Sequence, residues 1–256
     1  MGGLMQGKSV LVMGVANRWS LAYAIAQSLS REGARLLLTY QSERQRSATE
    51  ELAAGLGGAR TAPCDVSQDD DLDRFFASLQ GPEGELDAVV HSIAFADRAD
   101  LDRPFCQTPR PGFALALDVS AYSFVAVARR AADHMPRGGS ILTLTYLGST
   151  RVMPNYNVMG VAKAALEAEV RYLASELGAR AIRVNAVSAG PVKTVSARGV
   201  KDLGRMLSHV AEHSPLRRGT APEEVGDAAL FLASDLARGV TGNILFVDSG
   251  YHVMGL

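Results

Sequence analysis

Residues 9–40 read SVLVMGVANRWSLAYAIAQSLSREGARLLLTY, and this stretch decides the architecture. It begins with a short β-branched run at 9–15 and ends with a second apolar run at 34–40. Between them, residues 20–33 place apolar side chains on one helical stripe and stop at Gly33. The pattern predicts a strand, an amphipathic helix and a second strand. Strands that are apolar on both faces and alternate with such helices indicate a parallel sheet covered on both sides.

The same alternation continues along the chain. Further strands are predicted within 59–66 and at 86–94, 140–146, 181–190 and 243–250, and further helices at 42–57, 69–80, 112–132, 156–177 and 222–233. We therefore expect an α/β fold, a single doubly wound domain over residues 1–256 with a seven-stranded parallel sheet flanked by helices. Two long loops, 95–111 and 192–207, are expected to be functional or mobile.

Composition argues against several classes of protein. The chain has 256 residues, 47% apolar and 21% charged, with a net charge of −1, so no basic field favours nucleic acid or an anionic membrane. Its two cysteines, Cys64 and Cys106, form no CxxC pair, which argues against a disulfide framework or a metal site. Apolar runs stop well short of ~20 residues, and MGGLMQGK is no signal peptide, so we expect a cytoplasmic protein without membrane insertion.

The turn after the first strand is a candidate nucleotide site. Of a GxGxxG motif only Gly14 is present, with Ala16 at the second position. The context is a strand, a tight turn and a helix N-terminus that could hold a pyrophosphate, with Ser20 as N-cap and phosphate hydroxyl donor. A plain strand–helix turn would show the same features.

Residues at the ends of the next three strands could contact the rest of a dinucleotide. Gln41 takes the place of an acidic ribose ligand, while Arg44 and Arg46 either receive a 2′-phosphate or belong to a solvated helix face. Asp65 could accept a hydrogen bond from the adenine amino group, or could cap a turn. Ile93 could line the ring pocket.

A second constellation is YNVMGVAK at residues 156–163, which follows the strand-like run GSILTLTY at 139–146. If both residues are helical, a separation of seven turns the chain by ~700°, so Tyr156 and Lys163 would share a face, ~10 Å apart. That arrangement suits two groups that reach one bound ligand. His91, at the inward end of a strand, is interpreted as a structural histidine.

The order of these features, together with NAVSAGPVKT at residues 185–194, resembles the short-chain dehydrogenase/reductase family over essentially the whole chain. Ordinary members carry a tyrosine four residues before the lysine and a serine thirteen before that tyrosine; here Met159 and Tyr146 stand there. An ordinary carbonyl reductase is thereby disfavoured, and a non-enzymatic scaffold would have lost Tyr156 or Lys163. The pattern YLG…PNYNVMGxAK is similar to a divergent branch, the NADH-dependent enoyl-acyl carrier protein reductases of bacterial fatty-acid synthesis.

The resemblance implies a Rossmann-type fold and reduction of the trans-2 double bond of enoyl thioesters by NADH, with NADPH less expected. Tyr156 would donate to the thioester oxygen, Lys163 would hold the nicotinamide ribose and lower the pKa of that phenol, and Tyr146 would be a second phenol. The expected catalytic residues are Tyr146, Tyr156 and Lys163. The expected cofactor contacts are Gly14, Ser20, Leu21, Gln41, Asp65, Val66, Ile93, Lys163, Val192, Lys193, Thr194, Val195 and Ser196. The expected substrate contacts are Ala96, Tyr146, Tyr156, Met159 and Leu203.

The segment 192–207 is interpreted as a substrate-binding lid, although a helix packed on the body would show the same apolar stripe. Its basic residues, Arg198, Lys201 and Arg205, could meet an acidic acyl carrier protein. Alanines on more than one side of the helices predicted at 112–132 and 156–177 suit packing between subunits, and the resemblance implies a homotetramer.

Overall fold

A computed structural model describes residues 2–81, 84–194 and 201–255 and centres on one sheet of seven parallel strands. The strands are β1 Ser9–Met13, β2 Arg35–Tyr40, β3 Arg60–Pro63, β4 Ala88–His91, β5 Gly139–Thr145, β6 Ile182–Ala189 and β7 Ile244–Val247. Their order is β3-β2-β1-β4-β5-β6-β7, and each pairing is parallel. The predicted sheet is confirmed. The direction of winding reverses between β1 and β4, and ligands of such folds bind beyond the carboxyl ends of the strands at that point.

Helices cover both faces of the sheet. They are α1 Leu21–Arg31, α2 Glu43–Ala54, α3 Asp69–Ala77, α4 Arg98–Asp102, α5 Arg110–Leu117, α6 Ser123–Asp133, α7 Val158–Leu177, α8 Leu203–His213 and α9 Pro222–Ala233. The buried strand β1 divides its side chains between two cores. Leu11 and Met13 join the core under α3, α6 and α7, whereas Val10 and Val12 join the core under α1 and α9. This alternation follows from the period of two in a strand.

The prediction of one continuous helix at 112–132 is wrong. The chain forms α5 and α6 with a π-helical turn at Asp118–Tyr122, where the N–H of Ser123 donates to the carbonyl of Asp118. By length and composition alone, Arg110–Asp133 could cross a membrane, and 50% of its apolar window is buried inside the fold.

The helix predicted at 156–177 begins two residues later than expected, at Val158. Asn155 and Asn157 have φ values of 61° and 41°, outside the right-handed helical region. The predicted loops also contain helices, since α4 lies within 95–111 and α8 begins at Leu203.

Candidate active site

A cleft of about 750 Å³ lies along the carboxyl ends of the first six strands, at the point where the winding reverses. Most of the predicted site residues line it: Gly14, Ser20, Leu21, Gln41, Asp65, Val66, Ile93, Ala96, Tyr146, Tyr156, Met159, Lys163, Val192, Thr194 and Leu203. Lys193 is exposed and does not belong to the lining. Val195 and Ser196 lie within residues 195–200, outside the part of the chain that the structure describes.

The turn between β1 and α1 is shaped for a close backbone approach. Gly14 has a φ of 93°, and an added Cβ would lie 2.1 Å from the carbonyl oxygen of Ser92, so no larger residue fits. Ser20 is the N-cap of α1, as predicted, and its Oγ accepts from the N–H of Tyr23 at 3.2 Å. The same hydroxyl donates to the carbonyl of Asn17 at 2.7 Å, so its hydrogen is already used. This cradle and the N-terminus of α1 suit a pyrophosphate.

The far end of the cleft is formed by the tips of β2 and β3. The amide of Gln41 donates to Asp65 at 3.1 Å. The other carboxylate oxygen of Asp65 accepts from the N–H and hydroxyl of Ser67, at 3.0 and 2.8 Å, so Asp65 both caps a turn and lines the cleft. Arg46 pairs with Glu50 at 2.8 Å, as expected for a residue of a charged helix face.

Lys163 lies at the opposite end and is buried on α7. Its ammonium donates to the carbonyl of Leu144, at the end of β5, at 2.8 Å. An ammonium carries three hydrogens, so this one bond fixes the side chain and leaves capacity to bind a ligand in the cleft. Burial lowers the pKa of Lys163 to about 8. The ammonium is therefore mostly charged at neutral pH and loses its proton as the pH rises through about 8.

Two phenols face each other beside this lysine. The ring centroids of Tyr146 and Tyr156 are 5.0 Å apart with planes at 72°, and the hydroxyl of Tyr146 donates to the sulfur of Met206 at 3.3 Å. Burial raises the pKa of Tyr146 to about 12 and holds that of Tyr156 well above its ordinary value. The expectation that Lys163 lowers the pKa of Tyr156 is wrong, because desolvation dominates. Tyr156 is thus a neutral phenol that keeps its proton and can donate it in a hydrogen bond.

The shared helix face predicted for Tyr156 and Lys163 is wrong, although both side chains line the cleft. Tyr156 precedes α7 and lies in the turn at 154–157. Its ring packs against Gly148, where an added Cβ would lie 2.5 Å from Cδ1 of the ring. Gly148 stands in the quoted YLG pattern but had been given no role. It is a residue of the site that sequence reasoning missed.

The part of the cleft beside the two phenols is lined by apolar side chains. Met159 stands at the position where ordinary family members have tyrosine. Its sulfur lies 3.6 Å from the hydroxyl oxygen of Ser120. The first turn of α8 adds Leu203 and Met206. Part of the predicted lid is therefore a helix whose side chains reach the cleft, which combines the two alternatives drawn from the sequence.

Other reactive residues have structural surroundings. His91 is completely buried, and its ring nitrogens lie 2.9 Å from the hydroxyl of Ser123 and 3.3 Å from that of Thr143. Burial lowers its pKa to about 3, which confirms a neutral structural histidine. Cys64 is buried with a pKa raised to about 12, and Cys106 is exposed. Across 2–81, 84–194 and 201–255, no group of three or more His, Cys, Asp or Glu could hold a metal ion.

Comparisons with known proteins agree with this geometry. A family model described as "Enoyl-(Acyl carrier protein) reductase" matches residues 14–252. The NADH enoyl-acyl carrier protein reductase of Bacillus cereus is 54% identical over 98% of this chain and 99% of its own length. That of Escherichia coli is 46% identical over 99% and 97%.

Solved structures give the same result. The Bacillus cereus enoyl-acyl carrier protein reductase with NADP+ and indole naphthyridinone superposes with a TM-score of 0.97 at 54% identity, over 100% of both chains. The Anaplasma phagocytophilum reductase in complex with NAD gives 0.95 at 47% identity, over 100% of this chain and 96% of that one.

Proposed function

Because the chain belongs to the enoyl-acyl carrier protein reductase family, we propose that its cleft reduces the trans-2 double bond of enoyl-acyl carrier protein thioesters with NADH, in bacterial type II fatty-acid elongation. The observation that carries this proposal is the meeting of Tyr156 and Lys163 in one cleft, with Met159 where a carbonyl reductase has its tyrosine. Displacement of the phenol from that position suits a substrate that receives hydride at C3, two atoms away from the carbonyl carbon whose oxygen becomes the oxyanion.

The residues present fit the dinucleotide. Gly14 and the N-terminus of α1 form a cradle for the pyrophosphate, the pair of Gln41 and Asp65 lies toward the adenosine end, and Lys163 lies where the nicotinamide ribose would be held. Gln41, at the place of the ribose ligand, offers no positive charge to the additional 2′-phosphate of NADPH, and Arg46 is already paired with Glu50. This supports NADH over NADPH.

When bound, NADH supplies a hydride to C3 of the enoyl thioester. Tyr156 then donates a hydrogen bond to the thioester oxygen, on which negative charge develops. The raised pKa of this phenol keeps the donor hydrogen in place. A donor of this kind is worth about 2–4 kcal/mol of barrier in a site that excludes water. Lys163 orients the ribose and adds positive charge, while Tyr146 packs edge-on against the Tyr156 ring and restricts its position.

Acyl carrier protein is acidic, and exposed cations border the entrance to the cleft. Lys201 and Arg205 flank Leu203, whose side chain lines the acyl side. We assign these two residues to docking of the carrier; Arg198 lies outside the described residues. Charge complementarity at such a rim acts mainly on the association rate. From the proposed role in bacterial fatty-acid elongation we infer a cytoplasmic location.

The oligomer that we propose is a homotetramer. Tyr122 beside α6 and Tyr172 on α7 are 49% and 80% exposed, which leaves aromatic surface uncovered on these alanine-rich helices. Burial of these helices against other copies of the chain would cover this surface. Light scattering coupled to size exclusion should give four times the mass of one chain, and Tyr172→Glu should lower that mass.

Turnover of two thioesters tests the reaction itself. NADH absorbance is followed with a crotonyl or longer 2-enoyl thioester and, separately, with a 3-ketoacyl thioester. Rapid oxidation is expected with the enoyl substrate. Turnover of the 3-ketoacyl substrate alone would rule out the proposed function.

A further inference from the structure

Glu167 is a buried carboxylate close to the catalytic groups. It is 8% exposed, and its Oε1 accepts from the hydroxyl of Thr145 at 2.7 Å. It lies one helical turn after Lys163 on α7, so both side chains leave the same face of the helix. A carboxylate buried in this way is destabilising unless it is paired or serves a charge nearby.

Two hydrogen bonds of opposite polarity join this face of α7 to the end of β5. The ammonium of Lys163 donates to the carbonyl of Leu144, and the hydroxyl of the next residue, Thr145, donates to Glu167. Tyr146 follows directly, at the point where β5 ends. These two bonds therefore fix the residue before the first phenol of the site as well as the lysine.

Glu167 also acts on the charge of Lys163. Glu169, on the same helix, has a pKa raised to about 7 by burial, so it is partly protonated at neutral pH. His91, from β4, is neutral because burial lowers its pKa to about 3. The two phenols near the lysine are also neutral. Of the two α7 carboxylates that raise the pKa of Lys163, Glu167 has the larger effect and Glu169 the smaller.

We propose that Glu167 is a positioning residue of the reductive site, which holds the end of β5 through Thr145 and supports the charge of Lys163 on which NADH binding depends. The inference rests on the function proposed above. Glu167 is not among the residues that line the cleft, so it acts through the lysine and the strand.

The affinity for NADH as a function of pH tests the charge effect without any enoyl substrate. Wild-type affinity should weaken as the pH rises through about 8, because Lys163 then loses its proton. Glu167→Gln keeps an oxygen for Thr145 but removes the charge. It should move the onset of weakening down by about one pH unit, which is about a fivefold loss of affinity at the wild-type onset and approaches tenfold at higher pH. Glu176→Gln, an exposed carboxylate on the same helix, should keep the wild-type profile.

Thr145→Val tests the second effect, because it removes the hydrogen bond and keeps the charge. It should lower turnover while the pH onset of NADH binding stays at the wild-type value, and Thr145→Ser should restore turnover. The proposal is overturned if Glu167→Gln binds NADH with the wild-type onset, or if Thr145→Val turns over at the wild-type rate. Failure of the wild type to reduce enoyl thioesters would instead contradict the proposed function, and the binding profile would still report on Glu167.

Discussion

Replacement of Gly148 with alanine is expected to lower turnover about a hundredfold while NADH binds nearly as in the wild type. The added Cβ would lie 2.5 Å from Cδ1 and 2.8 Å from Cε1 of Tyr156, and 3.2 Å from Cδ1 of Tyr146. Ordinary contact begins at 3.4 Å, so the Tyr156 ring must retreat by 3.4 − 2.5, or about 0.9 Å. A displacement of about 1 Å in a reacting group can reduce the rate about a hundredfold.

The assay separates a displaced phenol from general damage. The kcat and KM for an enoyl thioester, the Kd for NADH and the melting temperature are measured on the same preparation. Gly178→Ala is the matched control, since its φ is −58° and an added Cβ meets nothing within 4 Å. That variant should keep the wild-type rate and be stabilised by about 0.4–1 kcal/mol.

Two outcomes would refute the reasoning. If Gly148→Ala keeps the wild-type kcat and melting temperature, the position of the Tyr156 ring does not limit the reaction. If kcat and NADH affinity fall together, the substitution disturbs the whole cleft rather than one phenol.

The remaining predictions concern four kinds of side chain. Tyr156→Phe should lower kcat by about 10²–10³ and leave NADH affinity within a factor of about two, whereas Lys163→Ala should weaken NADH binding itself. Steady-state kinetics and a binding titration measure these two effects. Wild-type rates in both variants would contradict the assigned roles. His91 takes up a proton on unfolding, because its pKa is about 3 in the fold and about 6.5 when free. The free energy of unfolding should therefore fall by about 2 kcal/mol between pH 6.5 and 5, and urea titrations should show a smaller fall in His91→Gln. Cys64 is buried with a pKa of about 12, whereas Cys106 is exposed, so a thiol reagent should modify one cysteine in the native protein. Cys106→Ser should abolish that reaction, and Cys64→Ser should leave it unchanged.

The strands could be predicted because a parallel sheet requires apolar side chains on both faces, and that requirement shows directly in runs such as 9–15 and 34–40. The break between α5 and α6 could not. A π-helical turn adds one residue to a helix without glycine or proline, so the apolar pattern of 112–132 continues through it. Its effect is a change of direction and register that periodicity alone does not reveal.

Glu167 was not singled out because one glutamate in an alanine-rich helix is typical of a solvated face. Its burial depends on the hydroxyl of Thr145, which is distant in sequence and belongs to another element. Gln41 and Asp65 were each predicted as cofactor contacts, but the hydrogen bond between them, which joins the tips of two strands, was not predicted. Pairs of this kind are set by tertiary structure, so single positions carry no signal of them.

Tyr156 shows how a correct residue can follow from an incorrect geometry. Spacing from Lys163 selected it on the assumption of one continuous helix, yet the chain passes through left-handed conformations at Asn155 and Asn157 before α7 begins. The amide of Asn157 donates to the carbonyls of Leu101 and Arg103, both at 2.7 Å. The turn that carries the phenol is therefore held by the loop at 95–111 as well as by its own backbone hydrogen bonds. Changes in that loop should move the proton donor even where they touch neither nucleotide nor acyl chain.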